Sequence, residues 1–366
     1  MFINPFPNAF GLDINDLSLK LVQLERTTNW KRQTYFKPKV FRSLELPPGL
    51  IVNGELQQPE EVRKKIHHLL QGNKKQLPIK SPWVVAGLPE TKSFIKLINV
   101  CQPAEELFDD EIKNLAKKHI PYDENECYYL EWQIMPTNNP KESRILIGAI
   151  PCQIADSYTY LLESLGLGVI ALEVEALAIA RSLITASKGY ENEARAILDL
   201  GATRSSLVVY DHDIVQFSTT LNFSGELLTT ALSQKLHLSL EDAEALKIET
   251  GLDYKAKKNK SWSIISEQTE ELEKQLKNAM QFYYSHFPDA NRITKITMCG
   301  GTSNLKYLDK VLSAKLKVLC RAGHPWKNLN WNKKIAMNDK EALGYATAIG
   351  LALRAADNPF FTQNVI

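Results

Sequence analysis

The stretch that most constrains this chain is short and occurs twice. Gly11-Leu12-Asp13-Ile14-Asn15-Asp16-Leu17-Ser18-Leu19-Lys20 is an apolar run that ends in an aspartate, turns through Asn-Asp and resumes as a second apolar run. A short apolar segment bounded by turn formers predicts a buried strand that enters a hairpin. The shape returns at ILDLGATRSSLVV, which aligns Asp13 with Asp199, Asn15 with Gly201, Leu17 with Thr203 and Val22 with Val208. Two such units so far apart predict two similar domains. The 366 residues have room for them, at about 150 residues per domain.

A third turn, Cys299-Gly300-Gly301-Thr302-Ser303, follows an apolar strand and precedes a helix. Gly-rich turns of this kind turn backbone N–H groups toward an anion, and a helix start adds its dipole. Any one of the three reads equally well as an ordinary hairpin or helix entry. The bulk properties narrow the partners: 44 basic against 42 acidic residues leave a net charge of +2 and no global electrostatic case for nucleic acid. Five scattered cysteines, with no CxxC or His/Cys pairing, suggest neither zinc nor a disulfide framework and point to a reducing cytoplasm. Pro5 and Pro7 break the opening residues, which lack the charged start of a secretory signal. No window holds the roughly 18 apolar residues of a spanning helix, so membrane contact is expected only through a partner.

The periodicities divide the chain into a first domain at residues 8–90 and 167–193, interrupted by a small αβ insert at 91–166. The second domain has its core at 194–225 and 291–340, with a helical subdomain at 226–290, a closing helix at 341–357 and a tail at 358–366. The insert reads as strand SFIKLINV, helix PAEELFDDEIKNLAKKHI, strands YYLEWQIM and SRILIGAIP, and helix QIADSYTYLLESLG. It is expected to be self-sufficient and removable. Trp30, Trp83 and Trp132 are expected as core or subdomain-interface aromatics. His67 and His68 are expected on the surface, and Cys299 as a small packed side chain.

The two Asp-led hairpins, the late glycine pair and a closing helix rich in Gly and Ala resemble the actin-like ATPase superfamily. Within it the chain resembles, almost end to end, the PilM family of type IV pilus assembly proteins, relatives of FtsA. IVNGELQQPEEV, VAGLPE, KKHIPYDENE, YYLEWQIM, LESLGLGVIALEVEALAIARSL, HLSLEDAEALK and YATAIGLALR carry that match. The resemblance implies an α/β actin-like ATPase fold, two domains flanking a nucleotide cleft with an FtsA/PilM-type inserted αβ subdomain, and ATP with Mg²⁺ as cofactors. It implies that Asp13 and Asp199 orient hydrated Mg²⁺ and that Asn15, Asp16, Leu17 and Ser18 form the first phosphate turn, with Lys20 approaching phosphate. Gly201, Ala202 and Thr203 would form the second turn. Glu244 and Lys247 would line the ribose and adenine edge, and Gly300, Gly301 and Thr302 would pass beneath the adenosine. Glu175 resembles the acid that positions the attacking water.

The first turn departs from the family pattern, with Asn15 for glycine and Asp16 for serine. Asparagine tolerates the left-handed backbone, so the turn survives. A carboxylate aimed at a triphosphate repels it, unless it caps the hairpin backbone or faces Mg²⁺. ATP binding with at most weak hydrolysis is the expectation, since no strong base is evident. The resemblance further implies a cytoplasmic adaptor at the inner face of the cell membrane. It would grip the N-terminal cytoplasmic peptide of PilN in a groove between first domain and insert, connect to other pilus platform and motor proteins, bind no nucleic acid, and leave self-association open. Phe94, Ile95 and Leu97 are candidate linings. The alternatives are an FtsA-like polymerising cell-division or cytoskeletal protein, or an actin-fold small-molecule kinase. Against the first stands an ending, ADNPFFTQNVI, without a basic amphipathic helix; against the second, an insert without a Gly-x-Asp turn. The tail reads as a frayed terminus or a strap over its own domain; the alternative is that Asn364-Val365-Ile366, which resembles the start of the apolar partner peptide, enters a groove and competes with that peptide.

Overall fold

The first echoed segment folds into the predicted hairpin: β1 (Phe10–Asn15) and β2 (Ser18–Thr28) run antiparallel, closed by the pair Asn15–Ser18. In this computed structural model, residues 4–357 are described, apart from 29, 31–33, 74–75, 124–125, 138, 187, 288 and 331–336. β3 (Thr34–Glu45) extends the meander. β4 (Ile51–Val52) and β5 (Glu55–Leu56) form a tight hairpin through Asn53-Gly54, the pair favoured where both turn residues need positive φ. α1 (Pro59–Gln71) starts on proline and two glutamates, as a helix N-terminus favours, and buries Val62, Ile66, Leu69 and Leu70. β6 (Trp83–Leu88), apolar along its length, pairs parallel with β1.

The insert contributes β7 (Phe94–Val100), α2 (Asp109–Lys117), β8 (Tyr128–Met135) and β9 (Ser143–Pro151). Then come α3 (Cys152–Glu163), β10 (Gly168–Val174) and α4 (Glu175–Leu183). The second echo is β11 (Ala194–Leu200) and β12 (Ser205–Asp211), followed by β13 (Ile214–Leu221), α5 (Gly225–Leu236), α6 (Leu240–Thr250) and α7 (Lys260–His286). The chain continues through β14 (Ile293–Cys299), α8 (Leu308–Leu316), β15 (Leu319–Ala322), α9 (Asp339–Leu343) and α10 (Ala346–Ala356). The echo extends to topology. β1 pairs antiparallel with β2 and parallel with β6; β11 pairs antiparallel with β12 and parallel with β14.

One sheet has the order β10-β6-β1-β2-β3; the other has eight strands, β15-β14-β11-β12-β13-β7-β9-β8. The insert is therefore not free-standing. Its β7 meets β13 through the pair Lys96–Phe217, and Ile95 and Leu97 pack against residues of α4, β11, β12 and β13. Those two side chains are 2% and 4% exposed, so they do not line an open groove; Phe94 is half-buried over the core beneath α2. Helix α3, grouped with the insert on sequence, buries Ile154, Ala155, Tyr158, Leu161 and Leu162 in the core of the five-stranded sheet.

Other departures have local causes. The long helix of the helical subdomain, α7, begins at Lys260 and buries Ser261, Ile264 and Ile265 in its first two turns. The helical stretch from Gly225 breaks at His237, which takes a left-handed backbone between α5 and α6. The closing helix breaks into α9 and α10 around Gly344-Tyr345. Trp30 is 88% exposed, not a core residue. The cysteines do not all stand apart: Cys127 and Cys152 are disulfide-bonded, because they flank the cross-strand pair Tyr128–Pro151 that sets the β8–β9 register. The tail at 358–366 lies outside the described residues.

Helix α10 is wedged so closely that its neighbours are backbone. A Cβ on Gly350 would lie 1.8 Å from the Ala178 carbonyl oxygen of α4, and one on Gly11 would lie 2.4 Å from the Ala352 nitrogen of α10. Gly350→Ala is therefore expected to destabilise the protein by at least the 1–3 kcal/mol of about one overpacked methyl, read as a lower denaturation midpoint; an unchanged midpoint would disprove the contact. Alkylation of the denatured, unreduced chain should modify Cys101, Cys299 and Cys320 only. Labelling of all five thiols would disprove the bridge.

Candidate functional site

The two turns meet around one guanidinium. Arg204, the residue after the second turn, lies across the gap, and its Nη2 donates to Asn15 Oδ1 of the first turn at 2.7 Å. The same side chain lies 3.6 Å from Asp16 Oδ1 and 3.5 Å from Glu175 Oε2. Asn15 in turn donates to Asp13 Oδ1 at 2.8 Å. Glu175 opens α4, is 6% exposed, and accepts a hydrogen bond from Thr347 of α10 at 3.1 Å. Asp199, one residue before the end of β11, accepts a weak bond from the Cys299 thiol at 3.4 Å. Glu90, just after β6, is buried with one carboxylate oxygen unpaired.

This crowding shows in the acidities. Burial pushes Asp13 up to about 7, against the pull of Lys20, with Glu175 and Asp199 raising it further. Burial and then Glu175 push Asp199 up to about 6, and the same two causes push Glu90 up to about 7. The Cys299 thiol is raised well above its ordinary value, first by burial and then by Asp199, so it is a packed, inert side chain. Arg204 and Lys20 are the cations set against these carboxylates, and Lys20 donates to Ser18 at 2.9 Å. A cluster so short of positive charge fits a bound cation. Among the described residues no three acidic, His or Cys side chains converge to cage one.

Asp16 has turned away to serve the scaffold. Its carboxylate accepts from the backbone N–H groups of Asn53 and Gly54 at 3.1 and 3.0 Å. It caps the β4–β5 turn rather than its own hairpin, so the expected repulsion of phosphate is relieved. The Leu17 carbonyl accepts from Leu46 N–H at 2.8 Å.

The second turn is anchored to α5. The Gly201 carbonyl accepts from Gly225 N–H at 3.1 Å and from Thr302 Oγ1 at 2.8 Å, and the Ala202 carbonyl accepts from Glu226 N–H. Gly300 has φ 79°, and a Cβ there would fall 2.3 Å from the Leu200 oxygen and 2.5 Å from Asp199 Oδ1, so only glycine fits. Gly301 faces open space. Lys247 Nζ donates to the Gly225 carbonyl, Thr229 and Glu244 at 3.0, 2.9 and 2.6 Å, which uses its three protons. Gly201, Ala202, Thr302, Lys247 and Glu244 thus form one wall on the α5–α6 side, while Asp13, Asn15, Glu175 and Asp199 gather around Arg204.

Sequence reasoning stops the second turn at Thr203 and misses Arg204, Glu90 and Thr347. Arg204 leaves a signal, being the lone charged residue between Asp199 and Asp211. The other two leave none, since only the fold brings them here.

A family model described as type IV pilus assembly protein PilM matches residues 11–356. The cell division protein FtsA of Enterococcus faecalis (strain ATCC 700802 / V583) is 22% identical over 260 residues, 67% of this chain; the match spans only 58% of that relative's length. Among solved structures, a PilM-PilN type IV pilus biogenesis complex aligns with TM-score 0.78 and 22% identity over 96% of this chain and 100% of that one. The ethanolamine utilization protein EutJ from Carboxydothermus hydrogenoformans gives 0.54 at 13% identity, covering 94% and 88%. MreB5 of Spiroplasma citri bound to AMPPNP gives 0.52 at 11%, covering 94% and 95%. At these identities the structural likeness speaks for the fold, which is the actin-like ATPase fold.

A carboxyl whose value rises on folding binds a proton that the unfolded chain lacks. For Asp13, between its ordinary 3.8 and about 7, stability therefore falls as pH rises. The melting midpoint of the nucleotide-free protein should drop between about pH 4 and pH 7, and Asp13→Asn should flatten the drop and melt higher than wild type at the alkaline end. Equal midpoints there would show that Asp13 carries no such strain.

Proposed function

The chain belongs to the type IV pilus assembly protein PilM family, and on that basis we propose that it is an ATP-binding adaptor at the cytoplasmic face of the cell membrane, joined to the membrane platform through the N-terminal peptide of PilN. The observation that carries the nucleotide half is the convergence of buried Asp13 and half-buried Asp199, from equivalent ends of β1 and β11, on one cation-poor gap. Mg²⁺ with ATP would supply positive charge to these carboxylates and a polyphosphate between the turns. The residues divide the work: Asp13 and Asp199 hold hydrated metal, Ser18, Lys20 and the two turns receive phosphate, and the wall at Gly225, Gly300 to Thr302, Glu244 and Lys247 receives the nucleoside.

Glu175 is poorly placed to act as a strong base. Thr347 of α10 donates to one of its oxygens and holds the carboxylate in place, and slow turnover follows. The chain is then a holder of nucleotide first and a hydrolase second.

The partner half rests on the outer edge of the insert. β8 ends the eight-stranded sheet, so among the described residues one of its edges is unpaired and could take an added strand. Beside it, Tyr129 of β8 donates to Asp156 of α3 at 2.9 Å, and Tyr160 of α3 is 73% exposed. An extended apolar peptide between α3 and β8 would gain backbone partners along the edge and two aromatic faces. No helix among the described residues is long and apolar enough to cross a membrane. Attachment through the partner supplies that contact.

Titration of nucleotide-free protein with Mg-ATP should give saturable heat that Asp199→Ala abolishes; no heat from the folded wild type would remove the nucleotide reading. A PilN N-terminal peptide should bind at least about tenfold more weakly to a Tyr129→Ala, Tyr160→Ala double variant, about 1.4 kcal/mol on the scale of interface anchors. Full affinity in that variant would move the groove elsewhere.

A further inference from the structure

Arg204 is held in an unfinished state. Its side chain is 15% exposed and Nη2 is bonded to Asn15, but the buried Nη1 makes no hydrogen bond. Asp16 Oδ1, at 3.6 Å, attracts its charge without accepting a bond from it, and both oxygens of that carboxylate already serve Asn53 and Gly54. A buried donor left unpaired is costly, and a guanidinium fork is shaped to give two parallel bonds to a phosphate or carboxylate. The two carboxylates within 4 Å of it are committed: Asp16 to a backbone turn, Glu175 partly to Thr347. An incoming anion is the partner the fork lacks.

The place of Arg204 says which part of an anion it would meet. The wall suited to a nucleoside adjoins the second turn from the side of α5 and α6, through Thr302 and Gly225 on the Gly201 carbonyl. Arg204 reaches from that turn to Asn15 on the first hairpin, a residue of the other domain's turn. A nucleotide laid from the wall into the gap presents to this guanidinium the phosphate farthest from its base. We propose that Arg204 reads the terminal phosphate, so that the cleft distinguishes nucleoside triphosphate from diphosphate through this residue; the inference rests on the nucleotide-binding reading above. On binding triphosphate, Arg204 gives up Asn15 and Glu175 for phosphate oxygens, and the bridge between the two hairpins passes from protein to ligand. Diphosphate leaves the bridge as it is.

Equilibrium binding of AMP-PNP and of ADP, each with Mg²⁺, tests this without reference to turnover. Wild type should prefer AMP-PNP by about tenfold or more. Arg204→Gln should weaken AMP-PNP by at least about tenfold and ADP by less than about threefold, which erases the preference. If that variant melts before assay temperature, Arg204→Lys carries the test: it keeps the charge but not the planar fork, and the preference should still fall at least about threefold. Equal losses for both nucleotides, no loss, or tighter binding of AMP-PNP would each overturn the role of Arg204 while leaving nucleotide binding intact. Folded wild type that binds neither ligand would overturn both readings together.

Discussion

Negative charge gathered in one buried gap is the constraint around which this molecule is arranged. Asp13, Asp16, Glu90, Glu175 and Asp199 are all brought there with Arg204 in their midst. Carboxylates out of water are tolerated only when paired, hydrogen-bonded or protonated, and the five divide among these solutions. Asp16 takes backbone N–H groups, Glu175 takes Thr347 and the arginine, and Asp13, Asp199 and Glu90 hold their protons more tightly. The elements that deliver them, the ends of β1 and β11, the start of α4 and the segment after β6, are thereby tied to a common point. A cleft with this composition gains from any ligand that imports positive charge.

Asp16 extends that tie outward. The turn it caps, Asn53-Gly54, lies against the segment where the chain leaves β6 for the insert: Gly54 adjoins Pro89, Thr91 donates to the Asn53 carbonyl, and Lys92 pairs with Glu55. From the other side Tyr158 of α3 donates to the Gly54 carbonyl at 3.0 Å. A substitution that looks like damage to a phosphate turn is thus a joint between the cleft and the root of the insert. The insert is held again at its far side, where β7 meets β13. It is held at its root and along β7, while β8 lies at the outer edge of the sheet.

The sequence displays the parts of the fold that depend on local pattern. The repeated apolar-Asp-turn shape marks β1–β2 and β11–β12, and Pro59 with two glutamates marks the start of α1. What it hides depends on through-space pairing. Ile95 and Leu97 alternate with half-buried neighbours like any one-sided strand, and nothing local says that α4 and β13 cover their face. Cys127 and Cys152 become neighbours only once the β8–β9 register is set. At the site, every residue nominated around the turns is where the turns are, but their occupations differ: Asp16 and Lys247 are saturated by protein partners, and the guanidinium at the centre looks in sequence like an ordinary hairpin residue.

Helix α10 closes one face of the five-stranded sheet, packing Leu351 and Ala355 against Ala9, Val85 and Ala178, and further residues against Val22 and Leu24. By contrast, the main core of the second half is drawn entirely from residues 194–320. On the ribosome this reverses the usual N-to-C order in which domains complete. The half synthesised first must wait, with β1, β2 and β6 bare on one side, while the half synthesised second can close on itself. The β1–α10 contact, long in sequence and late in arrival, is the slow, loop-closing step of folding, and until it forms the nascent chain presents an apolar sheet face for chaperones to cover.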